Sequence, residues 1–145
     1  MLIPSTTETS QTIRQAKGHT YAFVVESLDA AGAVIARSAP ALVTLGQAKT
    51  SLTLMPFKFK QRGKRYSLVI GMLSTSAPDV KLDRRIIRLE QRIQGRWRQV
   101  AYQWTDASGR VIWIVPKGRY TIRALFNDSS ELKASNSRAL TVSGV

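Results

Sequence analysis

The chain has no cysteine, which excludes a disulfide framework and a thiolate metal site. Its single histidine, His19, lies in a turn ahead of a strand-like run, the setting of a surface residue rather than a triad base. Acidic residues number nine against twenty-two basic ones. Asp83, Glu90, Asp106, Asp128 and Glu131 show no paired spacing for acid–base chemistry and no clustered oxygens for calcium. A Gly-rich phosphate loop and metal-ligand spacing are also missing. No apolar run approaches the roughly 18 residues of a membrane helix. The opening MLIPSTTETSQ has neither the basic nor the apolar region of a signal peptide. These absences predict no enzyme, no cofactor, no metal and no membrane insertion.

What remains is strand chemistry and positive charge. A hydrophobic content of 43% over 145 residues is enough for a packed core. The net charge is +13 and the pI about 11.0. Residues 1–50 hold four basic and three acidic residues, whereas residues 51–145 hold eighteen and six. The second part is therefore the basic one, and its partner or surroundings are expected to be anionic.

The most legible stretch is residues 118–142. Tyr120, Ile122, Ala124 and Phe126 alternate with Thr121, Arg123 and Leu125, the period of a half-buried strand. Asn127–Ser130 is turn chemistry, and Ala139–Val142 reads as a closing strand. Residues 18–46 repeat the pattern: Gly18 matches Gly118, Tyr21 matches Tyr120, Asp29 matches Asp128, and Ser38 with Ala41–Leu42 matches Ser137 with Ala139–Leu140. The two tyrosines lie 99 positions apart, close to the roughly 100 residues of an immunoglobulin-type sandwich. The chain thus reads as the last strands of one antiparallel β-sandwich followed by a complete one.

In chain order, residues 1–11 read as polar and extended, Thr12–Arg14 as a short strand and Ala16–Gly18 as a turn. Tyr21–Val25 is a strand, Asp29–Gly32 a hairpin turn, and Val34–Val43 the return strand, with Pro40 marking an edge or bulge. Residues 46–50 form a linker. Ser51–Leu54 and Phe57–Lys60 are strand-like, and Gln61–Lys64 is a turn. Tyr66, Leu68, Ile70 and Met72 share one face of the next strand. Over 82–97, Leu82, Ile86, Leu89 and Ile93 fit helical spacing. The strand reading, with Ile87, Leu89 and Ile93 inward and Arg88, Glu90 and Arg92 outward, agrees better with the neighbouring segments. Trp97–Trp104 is a strand and Thr105–Gly109 a turn, and Val111, Trp113 and Val115 alternate.

Gly18–Gly32 with Ala36–Pro40 resembles the final strands of a fibronectin type III domain, over about residues 10–45. Ser51–Leu54, Leu89–Arg92 with Gly95–Trp97, and Thr105–Gly109 resemble a bacterial immunoglobulin-like domain, over about 51–145. The resemblance implies an all-β fold with a partial fibronectin-like unit at 1–45, a linker at 46–50 and a complete sandwich at 51–145. It also implies tandem modules of exported surface proteins. An Arg-rich surface departs from those repeats, which are weakly charged.

The basic residues carry the functional expectation. One group is Lys58, Lys60, Arg62, Lys64 and Arg65, interleaved with Phe57, Phe59 and Tyr66. The other includes Arg84, Arg85, Arg88 and Arg92, continuing to Arg96 and Arg98. Both suit a phosphate backbone or another anionic polymer. Tyr21, Gly118 and Tyr120 read as structural, with Tyr120 bonding back to the backbone at a corner. Trp97 and Trp113 read as core residues, with a sugar platform of Trp97, Trp104 and Trp113 as the alternative. The expected role is a non-catalytic structural and interaction module of an extracellular or cell-surface assembly, joined to other subunits by strand addition through residues 1–45. A virion decoration or tail protein and a polyanion-binding module are the alternatives.

Overall fold

A computed structural model describes residues 12–15 and 17–145. The expectation for residues 1–11 and the place of Ala16 in its turn lie outside the described residues. Residues 12–15 form no strand, so the strand expected at Thr12–Arg14 is not there. The fold is all-β, and every ladder is antiparallel.

Two sheets face each other across one core. The first consists of β5 (Thr50–Gln61), β6 (Lys64–Thr75) and β9 (Arg110–Ile114), in that order. The second consists of β7 (Ile86–Ile93), β8 (Arg96–Trp104), β10 (Gly118–Phe126), β11 (Ser135–Asn136) and β12 (Leu140–Gly144). There β8 pairs with β7 and β7 with β10, while β11 and β12 share the other edge of β10. Residues 86–93 are therefore a strand, as the neighbouring segments suggest, and the helical spacing at Leu82–Ile93 is coincidental.

Alternation selects the core. Leu52, Val69, Leu73, Val111 and Trp113 point inward from the first sheet, and Ile87, Leu89, Ile122, Ala124, Phe126 and Val142 from the second. Ala48, Val80 and Leu132 close the sandwich from the loops. Gly71 makes room on the inner face of β6, since a Cβ there would stand 2.7 Å from Val111 Cγ2 and 3.0 Å from the Trp113 ring. Two reversals are tight turns with both central residues at positive φ, Arg62-Gly63 (48° and 78°) and Gln94-Gly95 (49° and 80°), the geometry that matches the twist of a two-residue hairpin. Tyr120 makes the expected corner bond, its hydroxyl donating to the Lys117 carbonyl at 2.9 Å.

The N-terminal part is a separate hairpin, hereafter the arm. Among the described residues its strands β1 (Thr20–Phe23), β2 (Glu26–Leu28), β3 (Val34–Arg37) and β4 (Ala41–Thr44) pair only with one another, β1 with β4 and β2 with β3. The tip is organised by Asp29, whose Oδ1 accepts from the Ala31 and Ala33 N–H groups at 2.9 and 2.8 Å. The interruption falls at Val24-Val25 opposite Ser38–Pro40, where Pro40 offers no donor. At the base, Gly18 lies against the Ser130 carbonyl so closely that a Cβ would overlap it. Ala48 bonds Glu131 and Lys133 through its backbone, and the Gln47 side chain donates to the Ser129 carbonyl.

The arm is a geometric repeat of β10–β11–β12. Thr20↔Thr44, Tyr21↔Val43, Ala22↔Leu42 and Phe23↔Ala41 recur 99 positions on as Arg119↔Ser143, Tyr120↔Val142, Thr121↔Thr141 and Ile122↔Leu140. Glu26↔Arg37 and Ser27↔Ala36 recur as Leu125↔Asn136 and Phe126↔Ser135. Even the serine that spans the interruption is kept. The Val25 N–H donates to Ser38 Oγ at 3.0 Å, and Ser38 Oγ donates to the Ala39 carbonyl at 3.0 Å. In the sandwich, the Ala124 N–H donates to Ser137 Oγ at 2.8 Å, and Ser137 Oγ donates to the Arg138 carbonyl at 2.9 Å.

Candidate functional site

The arm and the β10–β12 hairpin share a register but not an environment. Ala124 is 0% exposed beneath the facing sheet, while its counterpart Val25 is 71% exposed. In the sandwich β7 covers the outer edge of β10, and β5–β6 cover its face. Among the described residues nothing pairs with the equivalent edge of β1. Val24, Leu28, Val34, Ile35, Leu42 and Val43 are exposed as well. A lone two-stranded hairpin is at best marginally stable in water, so this surface is suited to being covered. Tyr21 is half-buried between its ring neighbours His19 and Phe23.

A second uncovered surface is the outer face of β5–β6–β9. The register places Met55 opposite Ile70, Phe57 opposite Leu68 and Phe59 opposite Tyr66, with Ile112 and Ile114 beside Ile70 and Leu68. Tyr66, Leu68, Ile70 and Met72 do share a face, as their spacing indicates. It is the outer one, because Ser67, Val69, Gly71 and Leu73 take the core side. β6 is therefore apolar on both faces, the composition of a strand covered on both sides. Outward-facing Phe57 and Ile114 are 53% and 72% exposed.

The first basic group comes together at one hairpin tip. The rungs from Phe59↔Tyr66 to Gln61↔Lys64 run past the last contact with β9, where the Val115 N–H bonds the Ser67 carbonyl. Lys58, Lys60, Arg62, Lys64 and Arg65 are all exposed there. Phe59 stacks on Tyr66 at 5.1 Å and on Phe57 at 6.4 Å between ring centroids, so the basic tip carries an aromatic ladder. The β7–β8 turn and the start of β10 lie at the same end and add Arg92, Arg96, Arg98, Lys117 and Arg119. None of the segments 58–65, 92–98 and 115–120 contains an acid. Asp79, Asp83, Asp106, Asp128 and Glu131 all sit in loops at the arm end.

The second basic group is divided. Arg84 and Arg85 lie at the arm end, where Arg85 pairs with Glu131 at 2.8 Å and donates to the Lys81 carbonyl. Arg88 is half-buried and donates to Asn127 Oδ1 at 2.9 Å. Only Arg92 of this group stands exposed near the basic end. Ile93, expected inward, is exposed where β7 runs out beyond the core.

The tryptophans also separate. Trp113 is in the core as expected. Trp97 is not: it lies outside the second sheet with Arg123 stacked 4.4 Å over its ring, and Arg123 also pairs with Glu90 at 2.7 Å. A bulge in β8 opposite Leu89/Glu90 shifts the register, so Trp97 and Trp104 share the outer face although simple alternation would oppose them. The sugar platform of three tryptophans is therefore not assembled, because Trp113 faces the other way. Alternation could not reveal the bulge, since one inserted residue reverses every later orientation.

Asp106 holds the β8–β9 turn. Its carboxylate accepts from the Ser108 hydroxyl at 2.6 Å, from the Ser108 and Arg110 N–H groups, and from Arg110 Nε at 3.0 Å. The Ser108 hydroxyl, ahead of the Arg110 N–H, lowers its pKa to about 2. Among the described residues no three His, Asp or Glu side chains gather as a metal site. No protein-family model, curated protein or solved structure matches the chain.

Proposed function

We propose that the chain is a non-catalytic structural and interaction module of a larger surface assembly, with an immunoglobulin-like sandwich that holds out an incomplete fibronectin-like hairpin for a neighbour to cover. One observation carries this reading: the arm keeps the register of β10–β12 yet exposes the position whose counterpart is fully buried. Exposed apolar surface of this kind marks an interaction site. The setting that best suits tandem sandwich units is an exported cell-surface assembly, and a virion is the alternative. The test is the size of the protein in extracts of its source, together with protease sensitivity of the arm. Elution far above 16.1 kDa with the arm resistant to cleavage is expected. A lone chain cut within residues 20–44 contradicts the proposal.

A second reading, a polyanion-binding module, draws on the basic end with its stacked Phe57, Phe59 and Tyr66. Retention on heparin that falls steeply with salt, as counterion release requires, and that is lost when Lys58, Lys60, Arg62 and Lys64 are all changed to Ser, supports it. Weak retention that survives those changes contradicts it.

A further inference from the structure

Two surfaces are left without a partner among the described residues, and they are complementary. The sheet β5–β6–β9 is apolar on both faces. Its inner face is covered by the second sheet, the β10–β12 hairpin together with β7, and its outer face by nothing among the described residues. The arm is a second hairpin with the register of β10–β12 that covers no sheet among the described residues. We propose that the arm of one copy packs on the outer face of β5–β6–β9 of a second copy, as β10–β12 packs on the inner face within each chain. This rests on the reading above that the arm is an interaction element, and it names the partner.

Chemistry and size agree. Phe23, Val25 and Val43 of the arm are the counterparts of the core residues Ile122, Ala124 and Val142, and would meet Met55, Phe57, Ile70 and Ile114. From base to tip the arm spans about 11 residues, roughly 35 Å of strand. β5 and β6 are 12 residues each, so the two surfaces have nearly equal length. Glu26 pairs with Arg37 within the arm and Arg110 with Asp106 beside the sheet, so the apolar surfaces carry the contact. The two surfaces differ, so the contact is heterologous and leaves an arm at one end and an open sheet at the other unless the assembly closes.

The test is complementation between two exposed-site variants, followed by mass measurement in solution over a concentration series. Val25→Asp damages the arm alone and Ile114→Asp the sheet alone. Circular dichroism and thermal melting establish that both fold, and Phe57→Asp serves as a second sheet variant should Ile114→Asp not fold. Wild type should self-associate, with at least a tenfold loss of affinity in each variant. Mixing the variants should restore association and stop at two chains, because only one arm and one sheet remain competent. A wild-type chain that stays single throughout overturns the inference. So does a single variant that associates like wild type, or a mixture that stays monomeric. A single purified chain whose arm is nevertheless protected in the native assembly overturns this inference and leaves the interaction-module reading standing, with another protein as the occupant.

Discussion

Ser137→Ala and Ser38→Ala remove the same pair of hydrogen bonds from two copies of one motif in different surroundings. Ser137 is buried, at 8% exposure, and accepts from the N–H of Ala124, which is 0% exposed. Without the hydroxyl that donor has no water to turn to. Leaving a buried donor unpaired costs about 1–3 kcal/mol, beyond the net value of about 1 kcal/mol for the bond itself. A loss of about 2 kcal/mol is expected, which for a domain of this size lowers Tm by roughly 5–15 °C. Ser38 makes the equivalent bonds at the surface, where water replaces the hydroxyl, so its removal should cost no more than about 0.5 kcal/mol. Urea unfolding of dilute protein would show a lower midpoint with unchanged slope for Ser137→Ala, and almost no shift for Ser38→Ala. Equal losses in the two variants would refute the reasoning, because they would mean that the arm is already covered in the isolated chain.

Three further outcomes follow from the geometry. The pKa of Asp106 in the folded chain, about 2, lies below its ordinary 3.8, so its contribution is complete above about pH 4 and fades as pH falls towards 2. Asp106→Asn should remove that part of the acid dependence of Tm, and an unchanged profile would contradict it. Gly71→Val would drive side-chain atoms into Val111 and Trp113 and should cost about 1–3 kcal/mol by overpacking, measured by urea midpoint; a neutral result would mean that these side chains of the neighbouring strand β9 yield. Thr105 is buried, donates to the Leu82 carbonyl and accepts from the Arg85 N–H at 2.8 Å. Thr105→Val should therefore be less stable than Thr105→Ser by about 1–2 kcal/mol, and the reverse order in thermal melts would count against that bond.

The repeat was legible because it rests on residues with few substitutes. The glycine match is displaced by one position, since Gly118 answers to His19 rather than to Gly18 in the 99-residue register. Ser38 and Ser137 bridge the same interruption, and Tyr21 and Tyr120 sit at the same rung. Period-2 alternation assigned the core faces of β9 and β10 correctly. It failed where both faces of a strand are apolar: in β6, Leu68 and Ile70 look as much like core as Val69 and Leu73, and only the placement of the second sheet decides between them. It failed again at β8, where the bulge carries Trp97 to the outer face. The first basic group was found whole because it lies within one hairpin. The second was not, because Arg84, Arg85, Arg88 and Arg92 run from one end of the sandwich towards the other, and two of them already serve Glu131 and Asn127.

The most direct measurement is amide hydrogen exchange at paired positions 99 residues apart, taken on dilute purified chain and on the protein within its native assembly. The account predicts fast exchange at Phe23, Val25 and Val43 in the dilute chain while Ile122, Ala124 and Val142 stay protected, and protection of both sets in the assembly. Arm amides that exchange fast in the assembly as well would contradict the claim that this hairpin exists to be covered.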